Sequence, residues 1–520
     1  MPIPFKAIAV LCLVAVVHGA AGAQATADTP YDVVIRNGRV LDGAGNPWIL
    51  ADVAIREGRF VKIGIVSGRG RVELDARGKY VSPGWIDVMD QSGSVLQRSP
   101  LAENKLMMGV TSAIAGEGGT PVPASAIPQY FEQLEQQGIS INFGTYFSES
   151  QARGAVLGNT ARAPTAAELV RMRAIMDSAM RAGAMGMTTA LIYPPGSFAT
   201  TNELVEVAKA AAPYGGIYAS HIRGEGKEVV ESVKEAIAIG ERAGMPVEIF
   251  HLKVAYKPGW GVLMDSVRLA VEAARARGVD VAADMYVYTA GGTGLASVIP
   301  SWAEEGGADS LRARLTNPDI RARLKREQKS GSPGWWNIVE TAGGWDNIVL
   351  ANARNPENAK YESKTLAQIG AEMKKDPADA AFDLVLQGKG RVMALYFMMS
   401  EQDIETALRF PWTSIGSDAG AMGEAGSGDD LGLPHPRAYG NAVRVLAHYV
   451  KQRHVLTLED AIRKLTSWPA TRYRLANRGT IKEGNWADVT VFDLATLEDR
   501  ATYAHPTESP TGIEWVLVNG

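Results

Sequence analysis

Five polar residues close short apolar runs in this chain, and their types are those of a metal-dependent hydrolytic site. "GVTSAIAGE" ends at Glu117, "IYASH" at His221, "VEIFH" at His251, "DVAAD" at Asp284 and "WTSIGSD" at Asp418. Histidine is scarce, with seven in the whole chain, yet His221 and His251 close successive runs. A single histidine at such a place is more often a hydrogen-bonded structural residue. Two on neighbouring strands are different, because adjacent strand ends lie about 5 Å apart and both imidazoles can reach one ion. Neutral imidazole together with carboxylate suits zinc. Asp418 has two readings. It caps the next segment, or it takes a proton from a metal-activated water and passes it to a leaving amine. The glycine-rich "AGAMGEAGSG" after it reads as a loop, which favours the second.

Such residues need a scaffold that ends several strands at one place. From about residue 85 to 475 the chain alternates strand-like and helix-like stretches: "YGGIYASH", "KEVVESVKEAIAIGERAG", "MPVEIFH", "GVLMDSVRLAVEAARARG", "VDVAADMY". The helical stretches carry apolar residues at i, i+3, i+4 spacing and end near glycine. This rhythm predicts βαβ units with a parallel sheet. Repeated at this length, it predicts an α/β protein built on a (β/α)8 TIM-like barrel over 85–477, whose catalytic groups sit at the C-terminal strand ends. An open doubly wound sheet is the alternative. "AGEGGT" does not match the dinucleotide-binding glycine pattern. The rhythm breaks from about Leu311 to Gly390, which predicts an inserted lid subdomain. Its Trp335 and Trp336 read as a small core or as a substrate contact.

Both chain ends have another texture. "YDVVIRNGRVLDG" holds Asn37-Gly38, a hairpin signal. "RGTIKEGNWADVTVFD" and "GIEWVLVNG" are also short strands with glycine turns. Residues 30–84 plus 478–520 are therefore expected to form one small β-sandwich. The chain stops at Asn519-Gly520, a turn without a return strand, which reads as a clipped end.

Composition is globular, 46% apolar and 21% charged, and the net charge of −4 with no basic tract argues against nucleic acid. "MPIPFKAIAVLCLVAVVHGAAGA" has one lysine, an apolar run too short to span a bilayer, and a small-residue end. Residues 1–23 thus read as a cleaved signal, with an uncleaved anchor as the alternative. This predicts a secreted or periplasmic protein with no stable membrane insertion. The only cysteine, Cys12, would leave with the signal, so disulfides and thiolate zinc sites are excluded. Homo-oligomerisation is left open.

The motifs "VSPGWID", "GVTSAIAGEGG", "IYASHIRGEG", "EIFHLK", "DMYVYTAGGTGL", "PWTSIGSDAG", "HPRAYGNAVRVLAHYV" and "YAHPTESPTGIEWVLVNG" together resemble the amidohydrolase superfamily, within it the N-acyl-D-amino-acid deacylases or D-aminoacylases. The resemblance covers nearly everything after the signal. It implies that His221 and His251 are metal ligands and that Asp418 is the catalytic aspartate. It implies that Lys253, Tyr193, Tyr288 and Arg223 contact the acylamino acid, chiefly its carboxylate. There are two departures. Where the family carries a His-x-His pair, this chain has Met89 and Gln91, flanking Asp90. Where the family has a ligand cysteine, it has Gly118, preceded by Glu117. Glu117 is then the third ligand from a shifted place, a carboxylate replacing a thiolate, or else a salt-bridged loop acid. Asp90 orients a ligand or hydrogen-bonds within its loop.

The expectation is a mononuclear zinc hydrolase, with one zinc on Glu117, His221 and His251 and with Asp418 as general base and then acid. Its substrate would be a small N-acyl amino acid, of D configuration by resemblance alone. A dipeptidase or another secreted small-amide hydrolase is the close rival. A non-catalytic ligand-binding barrel is the rival from another class.

Overall fold

The structure, a computed structural model, describes residues 30–422 and 433–520. The expected signal and part of the glycine-rich stretch after Asp418 lie outside the described residues. Five strands open the described chain: β1 (Tyr31–Val40), β2 (Ile49–Arg56), β3 (Arg59–Gly64), β4 (Gly70–Asp75) and β5 (Tyr80–Pro83). Asn37-Gly38 is not the expected hairpin. It is a bulge inside β1, where the register to β2 shifts. Asn37 has φ +57°, and a Cβ on Gly38 would lie 2.5 Å from Val81 Cγ2. The pair serves a kink and a close approach. The tight hairpin lies instead at Glu57-Gly58, where both residues have positive φ and link β2 to β3.

The barrel strands follow: β6 (Trp85–Asp90), β7 (Val110–Ala115), β8 (Asn142–Thr145), β9 (Phe147–Ser148), β10 (Gly186–Ala190), β11 (Ile217–His221), β12 (Val247–Ile249) and β13 (Val281–Met285). After an insert holding β14 (Ala290–Gly294), β15 (Ile348–Asn352) and β16 (Met393–Phe397) comes β17 (Thr413–Ile415). β8 and β9 are one strand interrupted at Tyr146, whose amide still bonds Ala115 O at 2.9 Å. All barrel pairings are parallel. The ring closes where Asp418 N–H donates to Met89 O at 2.8 Å and Asp90 bridges Ala419. Helices cover the outside because one face of each is apolar. Val229–Ala243, for example, buries Val229, Val233, Ala236 and Ile237 and stops at left-handed Gly244.

The insert packs around its own apolar core, Leu295 to Met399, on the antiparallel sheet β14-β16-β15. It is longer at both ends than the expected 311–390, because β14 and β16 belong to that sheet. β18 (Val489–Phe492) pairs with β5, and β19 (Ile513–Leu517) with β18. The two chain ends thus share one seven-stranded sheet. It branches at β1, whose first half pairs with β4 and whose second half pairs with β5.

One buried pair beside the barrel has a readable pH signature. Glu149, which starts the helix after β9, is buried against Glu203, and Arg153 pairs with Glu203. Burial first, then the like charge of Glu203, pushes the Glu149 carboxyl from 4.5 up to about 8. Between these values the folded protein holds a proton that the unfolded chain has released, so stability falls as pH rises through that window. Glu149→Gln supplies a permanent donor to Glu203. Melting temperature in the variant is expected to lose this decline between about pH 5 and 8. A decline as steep as in the parent would assign it to other groups.

Candidate metal centre and substrate cavity

Strand ends bring a candidate ligand set together. Glu117 follows β7, His221 ends β11, and His251 lies just past β12. Glu117 Oε1 lies 2.8 Å from His221 Nδ1 and 3.1 Å from His251 Nε2. The candidate ligand atoms of all three residues fall within 4.8 Å of one another. Neighbouring vertices of a tetrahedral zinc site stand about 3.3 Å apart. The set therefore fits such an ion with a small outward shift and keeps a fourth vertex free. Despite burial, the two histidines hold Glu117 well below the usual carboxylate range. Burial and Lys253 push His251 down, but Glu225 and Glu117 outweigh them and raise it to about 9.

Backbone strain marks the same place. His251 has φ +38° and Asp418 φ +51°, both in the left-handed region that non-glycine residues avoid. His251 is held there by its N–H, which donates to Asp284 Oδ1 at 2.8 Å. Asp284, the remaining strand-end acid, thus secures the backbone of His251. It is fully buried, and burial first, then Glu248, pushes its carboxyl well up.

Asp418 faces the ligand cluster across Gln91. Gln91 Nε2 donates to Glu117 Oε2 at 2.7 Å and to Asp418 Oδ1 at 3.1 Å. Arg437 Nη1 lies 2.9 Å from Asp418 Oδ2, and its guanidinium stacks 4.5 Å from the Tyr286 ring centre. Below them is a buried ammonium. Lys105 Nζ lies 2.8 Å from Asp87, 2.6 Å from Asp90, 3.0 Å from Ser417 Oγ and 2.7 Å from Ala419 O. It grips the residues on either side of Asp418. Asp90 accepts from Ser92 and pairs with Lys105, so it belongs to this anchor. Met89 does not line the cavity; it packs with Ile86, Val88 and Phe250 in an apolar cluster.

A cavity of about 530 Å³ joins these groups to the insert. Glu117, His221, His251, Asp418, Lys253 and Tyr193 line it. Lys253 Nζ lies 2.6 Å from Glu225 Oε1 and 2.7 Å from His251 Nδ1. Tyr193 OH is 2.6 Å from Thr293 Oγ1, and its ring meets His221 edge-on. Two expected substrate contacts are elsewhere. Tyr288 donates to Asp499 at 3.0 Å, and Tyr286 takes the cavity wall in its place. Arg223 is turned to Glu235 at 2.9 Å and to the carbonyls of Ser197 and Ala199, so its donors do not face the cavity. Trp336 lines the cavity and also packs on the insert core, whereas Trp335 donates to Ser297 O.

Glu225, Tyr286 and Arg437 line the cavity but are not singled out in the sequence reading, which names Gln91 only as a departure. Glu225 and Arg437 sit inside motifs already noted, "IYASHIRGEG" and "HPRAYG", but beyond the strand ends. Gln91 is one of the two departures.

An eight-stranded parallel barrel with imidazole and carboxylate ligands at its C-terminal strand ends is the architecture of a metal-dependent amidohydrolase. Comparison with known proteins agrees. Residues 379–520 match the amidohydrolase family model. The chain is 32% identical over 513 residues to a D-aminoacylase of Alcaligenes xylosoxydans xylosoxydans, covering 94% of each chain. Among solved structures, it is similar to the N-acyl-D-glutamate deacylase of Bordetella bronchiseptica complexed with zinc and a phosphonate inhibitor (TM-score 0.79, 30% identity, 94% and 96% covered). It is also similar to a D-aminoacylase described as having a binuclear metal centre, with one-metal activation and second-metal attenuation (TM-score 0.77, 31% identity, 94% and 96% covered). The chain belongs to the D-aminoacylase family of amidohydrolases.

The anchor under Asp418 is testable. Lys105→Met leaves Asp87 and Asp90 buried without their counter-charge, a change expected to cost about 3–5 kcal/mol. Urea unfolding should shift to lower concentration, and turnover should fall. Any metal held by Glu117, His221 and His251 should stay bound in the folded fraction, since none of the three touches Lys105. An unchanged midpoint would remove the anchoring role.

Proposed function

We propose that this chain hydrolyses the amide bond of N-acyl-D-amino acids, with one zinc ion held by Glu117, His221 and His251. One observation carries the reading. Asp418, a carboxylate outside the ligand cluster, opens onto the same cavity and is tied to the ligand Glu117 through Gln91. When bound, zinc supplies an activated water and polarises a carbonyl oxygen. Asp418 takes the proton of the attacking water and delivers it to the departing amine nitrogen. Glu225, beside His251 Nδ1 at 3.1 Å, orients that imidazole, the usual role of a carboxylate behind a metal histidine.

The α-carboxylate of the substrate needs a cation. Lys253 lines the cavity but is shared with Glu225. Arg437 also lines it, and its buried Nε and Nη1 make no directed hydrogen bond, although Nη1 is within ion-pair distance of Asp418. Arg437, missing from the sequence reading, is therefore the proposed main anchor, with Lys253 and Tyr193 beside it. The acyl or side-chain group lies against Trp336, Ile338, Leu395 and Met398 of the insert. The D configuration is supported by the named relatives, and a secreted or periplasmic location by residues 1–23 alone.

Two variants test the reading on purified protein. His221→Ala should lose zinc by elemental analysis. Asp418→Asn should keep zinc and lose about 10²–10⁴-fold in turnover of N-acetyl-D-amino acids. Zinc retained in the first, or turnover retained in the second, sinks the assignment. Preferential cleavage of dipeptides would move the enzyme to the dipeptidases, and binding without turnover would leave a ligand-binding barrel.

The carboxylate anchor has its own test. Arg437→Met should raise KM for N-acetyl-D-amino acids by at least about tenfold, the loss of one charge-assisted contact. It should raise KM for the corresponding amides much less. Equal effects on acid and amide would move the anchor to Lys253.

A further inference from the structure

The two carboxylates that matter most, Glu117 and Asp418, converge on a single atom. Gln91 Nε2 lies 2.7 Å from Glu117 Oε2 and 3.1 Å from Asp418 Oδ1. Only an electron-poor group is stable between two carboxylates. A cation is one solution. A nitrogen with two hydrogens is the other, and a primary amide offers one N–H to each acid. The reverse orientation would set the amide oxygen against two carboxylate oxygens. We propose that Gln91 is a positioning residue that takes the place of a second cation between Glu117 and Asp418, so that the enzyme uses one divalent ion and is not attenuated by excess metal. The inference rests on the amidohydrolase reading above.

The surroundings favour the amide. Gln91 N–H donates to Ala419 O at 3.3 Å across the closing seam of the barrel. A Cβ on Gly420 would lie 3.0 Å from Gln91 O, so the two backbones pack face to face. These contacts fix the Gln91 backbone at the seam, and the bonds to Glu117 and Asp418 then hold its amide. Met89 is buried in the core and carries a thioether, a poor ligand for zinc(II) beside imidazole and carboxylate. Among the described residues, a second ion would find Glu117 Oε2 and Asp418 Oδ1, while His435, the other histidine lining the cavity, is tied to Ala290 O and the Arg437 N–H. Structural zinc takes four protein ligands and catalytic zinc three. The related D-aminoacylase with the binuclear centre is the contrast, since in that protein a second metal attenuates activity.

Gln91 also has a geometric consequence. It occupies one oxygen of Glu117 and leaves Oε1 for the histidines, so Glu117 is presented through one atom. It fixes the distance from that ligand to the proton-transferring carboxylate.

The test uses the full-length protein and zinc alone as the probe. Zinc content after dialysis and calorimetric titration with zinc are measured for the parent, Gln91→Glu and Gln91→Ala. The parent should hold one zinc, show no second site, and keep its turnover as zinc is raised far above one equivalent. Gln91→Glu keeps the shape but brings a third carboxylate to the spot. It should take up a second zinc and become attenuated by it. Gln91→Ala opens the place between the two acids and should become sensitive to excess zinc, with KM kept and kcat lower by about 10–100-fold, the usual effect of losing a group behind a metal ligand. A second zinc on the parent, Gln91→Glu restricted to one zinc, or an unchanged kcat in Gln91→Ala would overturn this inference alone. A parent without zinc would overturn the metal reading and this inference with it.

Discussion

The last hydrogen-bonded step around the barrel, from β17 back to β6, is the constraint on which the site depends. Asp418 N–H donates to Met89 O, and Gln91 N–H to Ala419 O, so closing the ring is also what sets Asp418 beside Gln91. The left-handed φ of Asp418 costs about 1–3 kcal/mol. That cost is offset locally by the Lys105 ammonium, which holds Ser417 Oγ and Ala419 O on either side of it. The same logic applies at His251, where Asp284 accepts the backbone N–H and keeps the residue in its strained turn. Two separate buried acids, Asp87 through the Ser417 N–H and Lys105, and Asp284 through the His251 N–H, thus position Asp418 and His251 without entering the cavity.

Buried charge is dense around this seam, and much of it is paired: Lys105 with Asp87 and Asp90, Lys253 with Glu225, Arg437 with Asp418. Pairs of this kind rarely gain net stability over apolar packing of equal volume. Their value here is directional. A methionine at 105 could fill the space, but it could not aim the backbone of residues 417–419. The Lys253–Glu225 pair has a parallel effect. It places a carboxylate against His251 Nδ1 and so leaves Nε2 turned toward Glu117.

The legible parts of the molecule are those set by short-range periodicity. Apolar runs that stop at His221, His251, Glu117 and Asp418 mark the strand ends, and strand pairing alone then assembles them. The unread parts depend on partners distant in sequence. Arg223 was captured by Glu235 on the following helix. Tyr288 and Tyr286 are close in sequence, yet past the end of β13 the strand alternation no longer applies, and only Tyr286 faces the cavity. Glu225 lies in the loop after β11 and Arg437 at the first turn of a helix after Pro436, places whose orientation toward the cavity no strand periodicity describes. Asn37-Gly38 has the composition of a turn, but its use was decided by the side chain of Val81. Met89 and Gln91 could be read as departures, whereas the bridge from Gln91 to two acids required the seam.

Charge links the two departures. Replacing a thiolate by Glu117 keeps one negative charge on the ligand set, while Gln91 brings none. Lys253 and Arg437 already place two cations at the cavity. On the one-metal reading, a single divalent ion leaves the cavity electropositive enough to draw in a carboxylate substrate. A second ion at Asp418 Oδ1 would compete for that carboxylate with Arg437, which already lies 2.9 Å from its Oδ2. A neutral amide between Glu117 and Asp418 avoids that competition and leaves the positive charge available to the substrate. The arrangement that excludes a second metal is therefore the one that suits recognition of an acid.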